Sequence, residues 1–126
     1  MKKALHIDDS YTVYQIVSSA ASVLEVEVLH ASNGSDGLAL LEEFHADLSL
    51  VILDFNMPGA NGLEILKDIK SNPNTKNIPV MMLTSDGDPG LVMDFIKAGA
   101  ANYLNKPFTQ EDLINKMMGC VGEATL

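Results

Sequence analysis

The sequence predicts an α/β domain in which five parallel strands form a doubly wound sheet with five helices on its two faces. Three observations carry that expectation. Five short apolar runs alternate with longer stretches of helical periodicity, the third and fourth runs are apolar almost throughout, and the connections are short. Continuous apolar runs mark strands covered on both faces, and parallel strands joined by helices require right-handed crossovers.

The first strand is expected at ALHI (residues 4–7), followed by a helix whose apolar stripe is Val13, Ile16, Val17 and Ala20. VEVLHA (26–31) is the second strand, and Leu38, Leu41 and Phe44 mark the helix after it. LSLVILD (48–54) is the third, leading to a helix with Leu63, Leu66 and Ile69 on one face. PVMMLT (79–84) is the fourth; Asp88 and Pro89 then suit the N-cap and first position of a helix. ANYLN (101–105) is the fifth, and Thr109 with Asp112 forms a capping box for the last helix. The tail after Cys120 reads as a frayed helix end or coil. Neither linker, repeat nor low-complexity tract interrupts this pattern, so residues 1–126 are expected to form one domain.

Composition narrows the function. A formal net charge of −9 and a pI near 4.5 argue against nucleic acid or an anionic membrane as partner, because both demand clustered Lys and Arg. Cations and basic protein surfaces fit better. One cysteine excludes an internal disulfide and a thiolate zinc cluster, in keeping with a reducing compartment. The start MKKALHI meets Asp8 before it could form the core of a signal peptide, and no stretch approaches the roughly eighteen apolar residues of a membrane span. A soluble, cytoplasmic monomer is expected.

Ligands of such sheets bind beyond the carboxyl ends of the strands. Those ends carry Asp8 and Asp9, Asp54, Thr84 and Lys106. Alone, Asp8 and Asp9 would read as a solvated turn or an N-cap. Asp54, a third carboxylate closing an apolar strand, shifts the reading toward a cation. Carboxylates from two strand ends and a backbone carbonyl suit Mg²⁺, which retains waters and favours a phosphate co-ligand. Lys106 could be an ordinary surface lysine, but opposite three acids and a cation it leaves room for more negative charge. A phosphoryl group, wanting a metal, an ammonium and a hydroxyl such as that of Thr84, is the expected visitor. Asp54, ionised at neutral pH, needs no general base to attack phosphorus.

The segments HIDDS, LVILDFNMPGANGLEIL, PVMMLTS and KAGAANYLNKPF, in this order, resemble the receiver domain of two-component response regulators, of the stand-alone chemotaxis-regulator type. The resemblance covers essentially the whole chain and implies a flavodoxin-like sheet with strand order 2-1-3-4-5 and no separate output domain. It implies Asp54 as the phosphoacceptor from a histidine kinase or phosphotransfer protein. Mg²⁺ would be bound by Asp9, Asp54 and the Asn56 carbonyl, with Asp8 acting through a water; Thr84 and Lys106 would hold phosphoryl oxygens. A cis peptide before Pro107 is implied as well. Output would pass through the fourth helix, fifth strand and fifth helix, with Thr84 and Tyr103 as the moving parts and a downstream protein as target.

Several positions depart from the family pattern. Ser85 replaces a usual alanine, and Asn56 and Asp86 occupy positions that tune self-dephosphorylation. His6 replaces an aliphatic residue, where a satisfied core histidine is the expectation, and Tyr14 and Gln15 stand where basic residues are common. Met117 and Met118 read as core packing rather than a partner surface. A phosphorelay intermediate or phosphate sink is an alternative within the fold. An aspartyl-phosphate phosphatase is disfavoured, because Asn56 stands where such enzymes need an acid; the chain is therefore read as a switch and not an enzyme. A structural module without phosphorylation would be expected to lack Asp54, Thr84 or Lys106, and all three are present.

Overall fold

The structure, a computed structural model, describes residues 2–57 and 59–124. Along the chain run β1 (Lys2–Ile7), α1 (Tyr11–Val23), β2 (Val26–Ala31), α2 (Gly34–Phe44), a 3-10 turn (His45–Asp47) and β3 (Leu48–Asp54). Then come two-residue strands β4 (Asn56–Met57) and β5 (Ala60–Asn61), α3 (Gly62–Ser71), β6 (Val80–Thr84), α4 (Pro89–Lys97), β7 (Asn102–Asn105) and α5 (Gln110–Ala124). The main sheet is parallel in the order β2-β1-β3-β6-β7, the expected 2-1-3-4-5 order once the separate β4–β5 hairpin is set aside.

Alternation along the strands divides the core in two. Leu5, Ile7, Val51, Leu53, Val80 and Met82 point toward α2, α3 and α4, where they meet Leu41, Leu66, Ile69 and Phe95. Ala4, Leu50, Ile52, Met81 and Leu83 point the other way, onto Val17, Ala20 and Ala21 of α1 and Leu113 and Met117 of α5. Both faces of β3 are thus buried, which is why its sequence does not alternate. Register brings Ile7 opposite Leu53, Asp54 opposite Leu83, and Thr84 opposite Asn105, so the four strand ends share one rim.

Several boundaries differ from expectation for local reasons. β1 starts two residues early because Lys2 and Lys3 pair with Val26 and Glu27. β6 starts after Pro79, which has no N–H to give, although its carbonyl accepts from Val51 N at 2.9 Å. Neither Asp8 nor Asp9 caps α1; Ser10 does, its Oγ accepting from Val13 N at 3.2 Å. Asp88 caps α4, and the Thr109–Asp112 box forms with bonds of 3.2 and 3.0 Å, as the sequence indicated. Helix continues past Cys120 to Ala124 instead of fraying; residues 125 and 126 lie outside the described residues. The Lys106–Pro107 bond is cis. No helix among the described residues is long and apolar enough to cross a membrane.

Gly62 is where the scaffold touches the site most closely. A Cβ there would lie 2.7 Å from Phe55 Cα and 2.8 Å from Asp54 O, so α3 can start this close to the end of β3 only with glycine. At Gly119 of α5 a Cβ would meet nothing within 4 Å. Gly62→Ala is therefore expected to destabilise by about 1–3 kcal/mol, whereas Gly119→Ala stabilises by about 0.5–1 kcal/mol through the unfolded chain. Urea unfolding of both variants checks this, and equal effects would contradict it.

Candidate functional site

At the rim, β1 delivers Asp8, β3 delivers Asp54, and the turn before α1 delivers Asp9. Asp8 and Asp54 are buried and Asp9 is exposed, yet the three can present carboxylate oxygens all within 4.8 Å of one another. Backbone donors fix the two buried acids: Ser10 N donates to Asp8 Oδ1 at 2.9 Å and Asn56 N to Asp54 Oδ1 at 3.1 Å. Lys106, from the loop after β7, places Nζ 3.0 Å from Asp54 Oδ1 and 3.6 Å from Asp8 Oδ2. Its own N–H donates to Thr84 O at 2.7 Å, tying that loop to the end of β6.

Two buried carboxylates and one ammonium leave a net negative centre. Burial pushes the Asp54 carboxyl above its ordinary value; the Lys106 hydrogen bond opposes this and the Asp8 charge reinforces it. Burial acts on Asp8 in the same sense, but the nearby His6 ring, the Ser10 N–H and the Lys106 charge outweigh it, and Asp8 is held below the ordinary value. Burial dominates at His6, whose pKa is lowered, so its imidazole is neutral at pH 7. Asp8 thus remains ionised and Asp54 bears the strain. A divalent cation would relieve it, and the all-oxygen donor set fits a hard ion such as Mg²⁺.

The description "Response regulator receiver domain" fits residues 4–118 of the chain. The chain belongs to that family. These receivers are the phosphorylation-dependent signalling switches of two-component systems. This receiver is 38% identical over 121 residues to chemotaxis protein CheY1 of Helicobacter pylori, a match covering 95% of this chain and 97% of that one. Among solved structures, chemotaxis protein CheY4 of Vibrio cholerae superposes with a TM-score of 0.87 at 32% identity, covering 95% and 98% of the two chains. A Mn²⁺-bound form of response regulator Rcp1 superposes at 0.78 with 28% identity, covering 94% and 91%.

The receiver fold brings Asp8, Asp9, Asp54 and Lys106 together, as read from the sequence, with Asn56 next to them. Thr84 lies buried at the adjacent strand end, but its hydroxyl is committed to the loop: Oγ1 donates to Asp86 O at 3.1 Å and accepts from Asp86 N at 3.0 Å. Tyr103 is half-buried on β7, its ring 5.8 Å from Lys116 Nζ of α5. Ser85 makes its position polar: its N and Oγ both donate to Asn56 Oδ1, at 2.9 and 3.0 Å. His6 is buried as expected, but it is not satisfied, because neither ring nitrogen has a well-aligned hydrogen-bond partner. Met117 is core, whereas Met118 is about half exposed, against the expectation for both. The Ser10 and Ser85 contacts and the approach of His6 to Asp8 were not foreseen from the sequence. The i, i+2 spacing of His6 and Asp8, which puts both on one strand face, was the available signal for the last.

Asp54→Asn leaves Asp8 and Lys106 as a balanced pair, so in metal-free buffer at pH 7 that variant is expected to melt above the parent. The sign follows from the raised pKa of Asp54 in the folded state. The parent's penalty is fully present above that pKa and is lost as pH falls through it toward the ordinary carboxylate value. The gap between the two proteins should therefore close with acidification. Thermal melts between about pH 7 and pH 4 in EDTA check this; a gap that widens on acidification would contradict it.

Proposed function

We propose that Asp54 is the phosphoacceptor of this receiver, that Mg²⁺ is its cofactor, and that a phosphohistidine on a sensor kinase or phosphotransfer protein is the donor. The carrying observation is the convergence of three carboxylates within 4.8 Å, with the Lys106 ammonium 3.0 Å from Asp54. The donor set matches a hard cation, and the related Rcp1 structure is described as Mn²⁺-bound. Asp9, Asp54 and the Asn56 carbonyl would hold the ion, with Asp8 acting through a water. When bound, the ion neutralises charge on the transferring phosphoryl oxygens.

An Asp54 carboxylate oxygen attacks phosphorus as the P–N bond to the donor imidazole breaks. The nitrogen keeps the electron pair, and the ring ends neutral after taking up one proton. The product is an acyl phosphate, which water later hydrolyses. Lys106 is already positioned to pair with a phosphoryl oxygen, and Thr84 would exchange its Asp86 contacts for another. The modified side chain carries about −1.5 to −2 charges and extra acceptor oxygens. Shifting a two-state equilibrium from 1:99 to 99:1 takes about 5.5 kcal/mol. Two or three hydrogen bonds to charged groups, at about 1.5–3 kcal/mol each, give about 3–9 kcal/mol, a range that includes that value.

The readout surface in this reading is α4, β7 and α5. Met93 and Ile96 of α4 and Met118 of α5 are 51%, 54% and 53% exposed, apolar side chains available to a protein target. Tyr103 would turn inward as Thr84 moves. A small-substrate phosphatase fits less well, because the Asn56 amide cannot act as a general acid and its oxygen is engaged by Ser85. The chain would thus work as a cytoplasmic switch, its receiver domain acting through protein contacts. Treated with acetyl phosphate and Mg²⁺, it should gain the mass of one phosphoryl group, and Asp54→Asn should gain none. Equal labelling of both proteins, read by intact mass, would reject this assignment.

A further inference from the structure

His6 is the buried polar residue that phosphoryl chemistry leaves unexplained. It sits on β1 two residues before Asp8, on the same strand face, and is fully buried. Its Nε2 lies 3.3 Å from Asp8 Oδ2. Among the described residues, His6 Nδ1, His6 Nε2 and Asp8 Oδ2 all lack a well-aligned hydrogen-bond partner. Buried polar atoms without partners are rare and call for a cause. Here two of them, His6 Nε2 and Asp8 Oδ2, face each other at 3.3 Å, just beyond the usual N–H···O separation.

We propose that His6 is a positioning residue for the acid cluster, its Nε2–H donating to Asp8 Oδ2 and so orienting the carboxylate that faces the cation. Three observations support this. Asp8 Oδ1 already accepts from Ser10 N, which leaves Oδ2 as the oxygen still to be oriented. Lys106 lies 3.6 Å from Oδ2 but only 3.0 Å from Asp54, so it is committed mainly to the other acid. The His6 ring is itself held in place, stacked with His30 at 5.3 Å and Tyr14 at 6.3 Å between centroids, while His30 and Tyr14 lie 4.6 Å apart. His30 completes the grip, with Nε2 3.0 Å from the Asp8 carbonyl oxygen. One histidine thus contacts the side chain of Asp8 and the other its main chain.

The chemistry favours an imidazole over the alternatives. A neutral ring supplies one N–H without adding charge, so it orients the carboxylate and does not compete with a cation as a second lysine would. An aliphatic side chain would leave Oδ2 with the Lys106 ammonium, 3.6 Å away, as its one ion-pair partner among the described residues. Partners that orient a direct metal ligand contribute about 10–100-fold to metal affinity, and a partner of Asp8, which would reach the ion through a water, belongs at the low end of that range.

The role of His6 in metal binding rests on the Mg²⁺ reading above, and the test separates the two. Mg²⁺ is titrated calorimetrically into the full chain, into His6→Leu and into His6→Gln. The Leu variant should bind about tenfold more weakly, and Gln, which retains an N–H donor, should recover most of the loss. Long-range ¹H–¹⁵N NMR of the wild type should show His6 protonated at Nε2. Unchanged Mg²⁺ affinity in His6→Leu, or a proton on Nδ1 alone, would overturn the positioning role. A wild type that binds no Mg²⁺ would overturn the cofactor assignment and with it the role in metal binding, while the tautomer still decides whether the hydrogen bond exists.

Discussion

The constraint on which this receiver depends is that Asp8 and Asp54 are both buried at one sheet rim and share, among the described residues, the single ammonium of Lys106. Two unit charges about 4 Å apart repel by about 4 kcal/mol at an effective dielectric near 20. One lysine cannot balance two carboxylates, and the exposed Asp9 adds a third. The pocket is therefore held in a state that a divalent cation would relieve.

The scaffold makes the arrangement possible by placing its apolar sequence behind the rim. β3 is covered on both faces, so the carboxylate at its end is anchored by a strand buried along its length. Gly62 lets α3 begin against the backbone of Asp54 and Phe55, closing the rim from one side. The cis bond before Pro107 follows directly on Lys106, whose N–H is tied to Thr84 O. Opposite lies the loop from Thr84 to Asp88, held by short-range bonds of the Thr84 hydroxyl and the Asp86 carboxylate. Such local bonds can be exchanged without disturbing the sheet.

Much of this was legible in the sequence. LSLVILD and PVMMLT declared themselves as strands because a short run that is apolar almost throughout is what a strand covered on both faces looks like, and Asp88 and Thr109 marked helix starts through their capping chemistry. The acids, Thr84 and Lys106 were visible because each closes a strand or follows one directly. What escaped was set by contacts that leave no periodic trace. The β4–β5 hairpin has strands of only two residues, Lys2 and Lys3 join β1 by pairing with β2, and Ser10 takes the cap that Asp8 or Asp9 could have supplied. Burial separated neighbours that look alike in sequence: Asp8 from Asp9, and Met117 from Met118. His6 looked like core and is core, but its meaning lies in what its ring nitrogen faces, which only three dimensions reveal.

Whether the acid cluster is a metal-assisted phosphoryl site is tested most directly by a crystal structure of the chain with Mg²⁺ and beryllium trifluoride. The expected result is a metal ion bound by Asp9, Asp54 and the Asn56 carbonyl, with the fluoride adduct on Asp54 in contact with Lys106 and Thr84. A bare Asp54, with the cation bound away from the three acids, would contradict it.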